Sequence, residues 1–162
     1  MSTLAGQLQV HFTKGASGAT KANEKNFINN VERRLSGRAG KYHVKTKLQM
    51  VSHLGNGVIE VNLQDPTLTG NGNPPVNGGP GGSNHVNATI NANSVWSRSL
   101  YPDATAGSQA HETFHNLYNM PNWPGQHNPS SAPDLMNGGW PFAGLSAADI
   151  QAALDCPCNQ II

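Results

Sequence analysis

Residues 66–84 place the strongest constraint on how this chain of 162 residues can fold. They contain six glycines and four prolines and have no charged side chain. A segment of this composition has few apolar side chains to bury and little tendency to form a helix or strand, so we predict a long flexible loop. The segments on either side are too small to hold separate cores. We therefore predict a single domain over residues 1–162, with the loop inside it.

Hydrophobic periodicity predicts the elements of this domain. Apolar and polar residues alternate over 8–13, 42–50, 59–63 and 86–93, which predicts four strands. Gly55-Asn56-Gly57 separates the second strand from the third and is typical of a hairpin turn. Helical spacing predicts an N-terminal helix over 21–36, a second helix from Ser108 as N-cap to Pro121, and a C-terminal helix. The last helix opens at Ser146 with a capping-box pattern that includes Asp149. The predicted fold is α+β with a twisted, mostly four-stranded sheet.

Charge and hydropathy exclude two classes of partner. Ten Lys and Arg residues against nine Asp and Glu give a formal charge of +1. Proteins that bind nucleic acid normally have a basic excess, so we expect no nucleic-acid partner. No apolar run approaches the roughly 18–20 residues of a membrane span, so we expect no membrane insertion. The N-terminus lacks the basic start and apolar stretch of a secretory signal. The chain is expected either to act without such a signal or to be a mature or excised domain.

The clearest chemistry lies at His111, Glu112 and His115, which form the pattern H-E-x-x-H on a segment predicted to be helical. Residues four apart lie one above the other on a helix, so both imidazoles can bind one metal at about 2.0–2.1 Å. Zinc lowers the pKa of a bound water to about 7, and a neighbouring carboxylate can take its proton and pass it to a leaving amine. The pattern predicts a Zn²⁺ site with Glu112 as general base. The competing interpretation is an exposed helix that carries these residues by coincidence.

A third ligand would come from downstream, where His127 is the only histidine after the motif and Leu135-Met136 follow it. With these residues the sequence resembles the metzincin metallopeptidases, in which a third His follows the H-E-x-x-H helix and a turn bearing Met runs beneath the metal. Met136 comes nine residues after His127, close to the spacing in matrix metalloproteinases. Residues 142–151 are similar to the start of that family's C-terminal helix.

The compact family motif continues as H-E-x-x-H-x-x-G-x-x-H. Here Tyr118 occupies the glycine position, Pro121 occupies the third-ligand position, and His127 comes six residues later. Imidazole is the commoner zinc ligand and fits the spacing to the Met-bearing turn, so His127 is the preferred third ligand. Asp134 and Asn122 remain alternatives.

The resemblance implies a zincin-like fold and a zinc endopeptidase that cleaves a protein or peptide substrate. An edge strand at 86–93 would hold the substrate by strand addition. The Gly- and Asn-rich composition without a targeting signal resembles excised domains of large bacterial polymorphic toxins of the Rhs type. An effector of that kind implies a cognate inhibitor or immunity protein as a partner. The alternative is a non-catalytic metal-binding or interaction module, against which the presence of Glu112 argues modestly.

Overall fold

The structure is a computed structural model that describes residues 2–65, 81–84, 88–94, 104–118, 135–136 and 144–155. These residues form an α+β fold in which three helices accompany one mixed sheet. The elements in chain order are β1 (Ser2–Phe12), α1 (Lys21–Arg34), β2 (Gly37–Ala39), β3 (Tyr42–Met50), β4 (Val58–Gln64), β5 (Gly81–Asn84), β6 (Thr89–Asn93), α2 (Ala104–Leu117) and α3 (Ala147–Asp155).

The sheet has six strands in the order β2-β3-β1-β4-β6-β5. The four inner strands run parallel, whereas β2 pairs antiparallel with β3 and β5 pairs antiparallel with β6. The three predicted helices and the α+β class are confirmed. The four-stranded estimate was too small because it missed the two short strands at the ends of the sheet.

The hairpin predicted around Gly55-Asn56-Gly57 is wrong. β3 and β4 do not pair with each other, because each pairs in parallel with β1 from opposite sides. β3 matches the stretch Ser2–Val10 of β1, and β4 matches Gln9–Phe12. β4 therefore begins close to the level at which β3 ends. The connection over 51–57 only has to step across β1, so a short turn-rich segment joins two parallel strands without reversing the chain.

One face of the sheet forms the hydrophobic core with the helices. Alternate residues of β1, β4 and β6, including Val10, Val61 and Ile90, are fully buried there. Phe27 of α1 packs edge-on against Phe12 of β1, with ring centroids 5.7 Å apart. Burial of apolar side chains at this interface supplies the main stabilising free energy, at about 25 cal/mol per Å² removed from water.

The start of α1 follows the capping rule. The side chain of Thr20 accepts a hydrogen bond from the backbone N–H of Asn23 at 3.1 Å, which satisfies one of the unpaired donors of the first turn. The helix ends at Arg34, two residues before the predicted end. The predicted helix over 21–36 is therefore confirmed with a shorter C-terminus.

Two predictions about the middle of the chain are corrected. β5 lies inside the segment predicted as a loop, so the loop prediction is wrong for 81–84, and residues 66–80 lie outside the described part. β6 is not an edge strand, because β4 and β5 occupy its two sides. Strand addition to residues 86–93 is therefore excluded for the described stretch Thr89–Ala92, which is paired on both sides.

The start of α2 also differs from the prediction. The helix begins at Ala104 rather than after Ser108, and Ser108 donates its hydroxyl proton to the Thr105 carbonyl at 3.0 Å. Ala104 and Ala106 are buried, so packing extends the helix upstream of the residue that resembles a cap. Among the described helices, none combines the length and the apolar character that crossing a bilayer requires.

Candidate metal centre

Helix α2 carries the H-E-x-x-H pattern and lies in the interior of the protein. It packs against α1 on one side and against β5 and β6 on another. Its residues from Ala106 to Asn116 are all buried. His111, Glu112 and His115 are 5%, 9% and 1% exposed, respectively. The interpretation of this segment as an exposed helix is therefore wrong.

Buried amide side chains fix how α2 sits in the fold. Gln109 accepts a hydrogen bond from Asn30 of α1 at 3.0 Å and donates one to the Asn93 carbonyl of β6 at 3.0 Å. Near the other end of α2, Asn116 donates to the Thr89 carbonyl at 3.3 Å. These directional contacts set the rotation of the helix about its axis, and with it the side on which the two histidines lie.

The two imidazoles of α2 converge on each other. The Nε2 atoms of His111 and His115 are 3.3 Å apart, and the ring planes meet at 78°. Two nitrogens bound to one tetrahedral zinc at about 2.0–2.1 Å would themselves be about 3.3–3.4 Å apart. The same separation suits a hydrogen bond from His115 to His111 when no metal is bound. The pair therefore fits two corners of a zinc coordination sphere without rearrangement.

The other ring nitrogen of His111 determines its chemical form. Nδ1 lies 2.8 Å from the backbone carbonyl oxygen of Leu135, and a carbonyl can only accept, so Nδ1 carries the proton. Nε2 then keeps its lone pair for a metal, and the carbonyl fixes the ring orientation. Burial lowers the pKa of His111, although the Leu135 carbonyl and the charge of Asp149 act in the opposite direction. The imidazole is therefore neutral at pH 7, the state that a metal ligand requires.

Asp149 holds the turn that supplies this carbonyl. Its Oδ1 accepts from the backbone N–H of Met136 at 2.9 Å, and its Oδ2 accepts from the backbone N–H of Ser146 at 2.9 Å. The backbone N–H of Asp149 in turn donates to the Ser146 hydroxyl at 3.1 Å, so the predicted capping box is confirmed. Leu135, Met136 and Asp149 are all fully buried. One carboxylate thus joins the start of α3 to the turn beside His111.

The sequence did not predict this role of Asp149. The capping-box pattern paired Asp149 with Ser146 at the start of α3 but gave no sign that its other carboxylate oxygen reaches Met136. The Leu135 carbonyl was also missed, because no side-chain pattern marks a backbone acceptor.

Tyr118 is packed on Phe114 with ring centroids 4.6 Å apart, and burial raises the pKa of its hydroxyl.

The predicted third ligand lies beyond the described residues. His127 falls there, as do its alternatives Asp134 and Asn122. Within the described ranges, no group of three or more His, Cys, Asp or Glu side chains is arranged to hold a metal. The structure therefore places two imidazole nitrogens at a separation suitable for zinc, and the full ligand set stays a prediction.

Comparison with known proteins adds no assignment: no protein-family model matches the chain, and no curated protein is significantly similar to it.

Proposed function

We propose that this protein is a zinc-dependent endopeptidase of zincin type. The observation that carries the proposal is the 3.3 Å separation between the Nε2 atoms of His111 and His115, which matches two ligands of one tetrahedral zinc. The hydrogen bond from His111 Nδ1 to Leu135 gives additional support, because an outer partner of this kind is the usual companion of a zinc-bound histidine. His127 completes the proposed ligand set, with Asp134 as its alternative.

Each residue of the proposed site has a separate task. His111 and His115 hold Zn²⁺ with their Nε2 atoms, and Leu135 keeps the first ring oriented. Zinc, when bound, lowers the pKa of a water ligand and polarises a peptide carbonyl. Glu112 acts as general base, takes a proton from the attacking water and delivers it to the amine that leaves.

The substrate strand is proposed to add to β5 instead of β6. Among the strands that the structure describes, β5 stands last in the order of the sheet, and α2 packs against it. An extended peptide paired with β5 would therefore lie beside the helix that carries Glu112. Backbone hydrogen bonds would hold such a peptide with little dependence on its sequence.

The first test is metal analysis of the purified protein together with mass-spectrometric mapping of cuts in a digested proteome, with and without a chelator. We expect about one zinc per chain and cuts that disappear with the chelator. Zinc without any cleavage would instead favour the non-catalytic metal-binding module. Absence of zinc from protein supplied with the metal would overturn the proposal.

The effector hypothesis is narrower and needs its own test. Expression of the chain inside bacterial cells should arrest growth, whereas expression of the Glu112→Gln variant at the same level should not. Equal growth in both cultures would remove the support for a toxin and for a dedicated immunity protein, while leaving the peptidase proposal to the cleavage assay.

A further inference from the structure

A cavity of about 230 Å³ lies on the face of the sheet that is turned away from the hydrophobic core. Successive residues of a strand point to opposite faces. In β4 the core residues alternate with Glu60 and Asn62, and these two line the cavity. Thr89 and Asn91 of β6 also line it, together with Thr13, which follows β1. The sheet therefore separates this cavity from the core face on which α1 and α2 pack, and so from the candidate metal centre.

Glu60 carries the only charged side chain among the described residues that line the cavity. It is half-buried, and its carboxylate accepts one hydrogen bond, from the Thr13 hydroxyl at 2.9 Å. A carboxylate offers about four acceptor sites, so most of its capacity is unused. Within the described part of the chain, no Lys, Arg or His side chain forms an ion pair with Glu60. Partial removal of a carboxylate from water costs free energy that a nearby cation recovers. The cavity therefore favours a positively charged ligand.

Two asparagines give the cavity a fixed set of polar atoms beside this charge. Asn62 and Asn91 are register partners on β4 and β6, and Asn62 Nδ2 donates to Asn91 Oδ1 at 3.0 Å. This bond orients both amides and leaves Asn62 Oδ1 as an acceptor. Neither this oxygen nor the Thr89 hydroxyl has a hydrogen-bond partner in the described structure. Glu60, Asn62 and Thr89 thus present three groups of acceptor oxygens to the same cavity.

Unsatisfied polar atoms also occur on both sides of these residues. His11, the register partner of Glu60 on β1, has a buried Nδ1 atom. Asn93, two residues after Asn91 on β6, is 1% exposed. Neither the His11 Nδ1 nor the side-chain oxygen and nitrogen of Asn93 has a hydrogen-bond partner among the described residues. Buried polar atoms normally have one. This part of the sheet therefore has more hydrogen-bonding capacity than its own side chains use.

We propose that this cavity binds a small primary amine through its ammonium group. An alkylammonium group has one positive charge, three N–H donors and no acceptor. These donors match the Glu60 carboxylate, Asn62 Oδ1 and the Thr89 hydroxyl oxygen. A neutral polyol could bond to the amides but would leave the Glu60 charge uncompensated. The volume lies below the roughly 300–1,000 Å³ of sites for drug-sized ligands, so we expect an amine of only a few carbons. The proposal requires neither zinc nor peptidase activity.

NMR titration of the ¹⁵N-labelled chain at constant ionic strength tests the proposal. At pH 8, where alkylamines are protonated, the probe is n-propylamine. Tetramethylammonium serves as a control with the same charge and no N–H donor, and glycerol serves as a neutral polyol. Propylamine should shift the backbone amide signals of residues 60–62 and 89–91 in a saturable way. It should bind at least ~10-fold more tightly than either control, because only it makes charge-assisted hydrogen bonds.

Variants identify the groups that bind the amine. Glu60→Gln keeps an acceptor for the Thr13 hydroxyl but removes the charge, so the affinity should fall at least ~10-fold. Glu24→Gln removes the same charge at a residue that does not line the cavity, and it should bind within ~3-fold of the parent because solvent screens distant charges. Asn62→Ala removes one acceptor and keeps the charge. It should weaken binding by about 3-fold or more, which keeps the proposal testable if Glu60→Gln fails to fold.

His111→Gln should bind propylamine as the parent does, which excludes capture of the amine by zinc. Three results would overturn the proposal: no saturable shifts at residues 60–62 and 89–91 of the parent, equal affinity for propylamine and tetramethylammonium, or equal losses in Glu60→Gln and Glu24→Gln. Tighter binding of glycerol than of propylamine would also overturn it, in favour of a neutral polyol as the ligand.

Discussion

The Nε2 atoms of His111 and His115 face each other at 3.3 Å within a buried part of α2. Both residues should therefore be needed for high zinc affinity. Replacing His115 with Gln removes a proposed direct ligand, so the loss of zinc affinity should exceed the roughly 10–100-fold that loss of an outer-shell partner costs. Competition with a chromogenic chelator measures it. The control variant His43→Gln, at an exposed position of β3, should leave the zinc affinity unchanged. If His115→Gln and His43→Gln bound zinc equally well, the metal would have to lie elsewhere.

Glu112 should be needed for turnover and not for zinc. Glu112→Gln keeps the size of the side chain but removes the proposed base, so the cleavage rate should fall by about 10²–10⁴-fold. The zinc content should stay at the parental value. Glu24→Gln, in the first turn of α1, removes the same charge far from α2 in the chain and should cleave like the parent. A parental rate in Glu112→Gln would contradict the assigned mechanism.

Asp149 should contribute strongly to stability, because its two oxygens accept from the Met136 and Ser146 backbone amides inside the protein. Asp149→Asn turns one of those oxygens into a donor that faces an N–H group. The free energy of unfolding should fall by about 1.5–3 kcal/mol, the cost of one hydrogen bond to a charged acceptor. Urea denaturation measures the loss. Asp155→Asn, at the exposed end of α3, should change stability by less than about 0.5 kcal/mol.

Tyr118 should make the protein sensitive to alkali. Burial raises the pKa of its hydroxyl above the usual 10.0. As the pH rises above about 10, the unfolded chain loses this proton while the folded chain keeps it, so folding stability falls by at most about 1.4 kcal/mol per pH unit. Below that pH the effect is absent. Tyr118→Phe removes the titrating group, so the stability difference between variant and parent should shift in favour of the variant between pH 9 and 11. Parallel stability curves for the two proteins would contradict this.

Gly40 should resist substitution for two separable reasons. Its φ is +59°, and a Cβ there would lie 2.6 Å from the Cβ of Ala147, the first residue of α3. Gly15 has a φ of +77° and no atom within 4 Å of its Cβ position. Gly15→Ala should therefore cost only the backbone strain of about 1–2 kcal/mol. Gly40→Ala should cost about 1–3 kcal/mol more because of overpacking. Thermal unfolding of both variants measures the difference in stability. Equal losses of stability would show that α3 shifts to make room for the added methyl group at no measurable cost.

Sequence periodicity predicted the elements well and their partners poorly. The alternation in Leu8–Phe12 and Tyr42–Met50 is a local property, so it identified β1 and β3. Which strands pair depends on contacts far apart in the chain, and a turn sequence at Gly55-Asn56-Gly57 could not show that β1 lies between β3 and β4. β5 was missed because its glycines carry no apolar signal.

In the candidate site too, the sequence predicted what depends on local geometry and missed what depends on contacts across the fold. Residues four apart lie on the same face of a helix, so the sequence alone was enough to predict that the rings of His111 and His115 lie side by side. The Leu135 carbonyl and the second oxygen of Asp149 act across the fold, through 24 and 13 residues of chain, and no local pattern encodes them. Packing also overrode the capping signal of Ser108, because buried alanines lengthen α2 at its start.

The shared carboxylate of Asp149 ties two parts of the protein into one cooperative unit. When the first turn of α3 frays, the Ser146 and Met136 amides lose their common acceptor at the same moment. The turn at Leu135 and Met136, which contacts His111, then becomes mobile as well. The amide hydrogens of Ser146 and Met136 are thus expected to exchange with solvent through the same opening event. The zinc affinity of the proposed site on α2 would then depend in part on the first turn of α3.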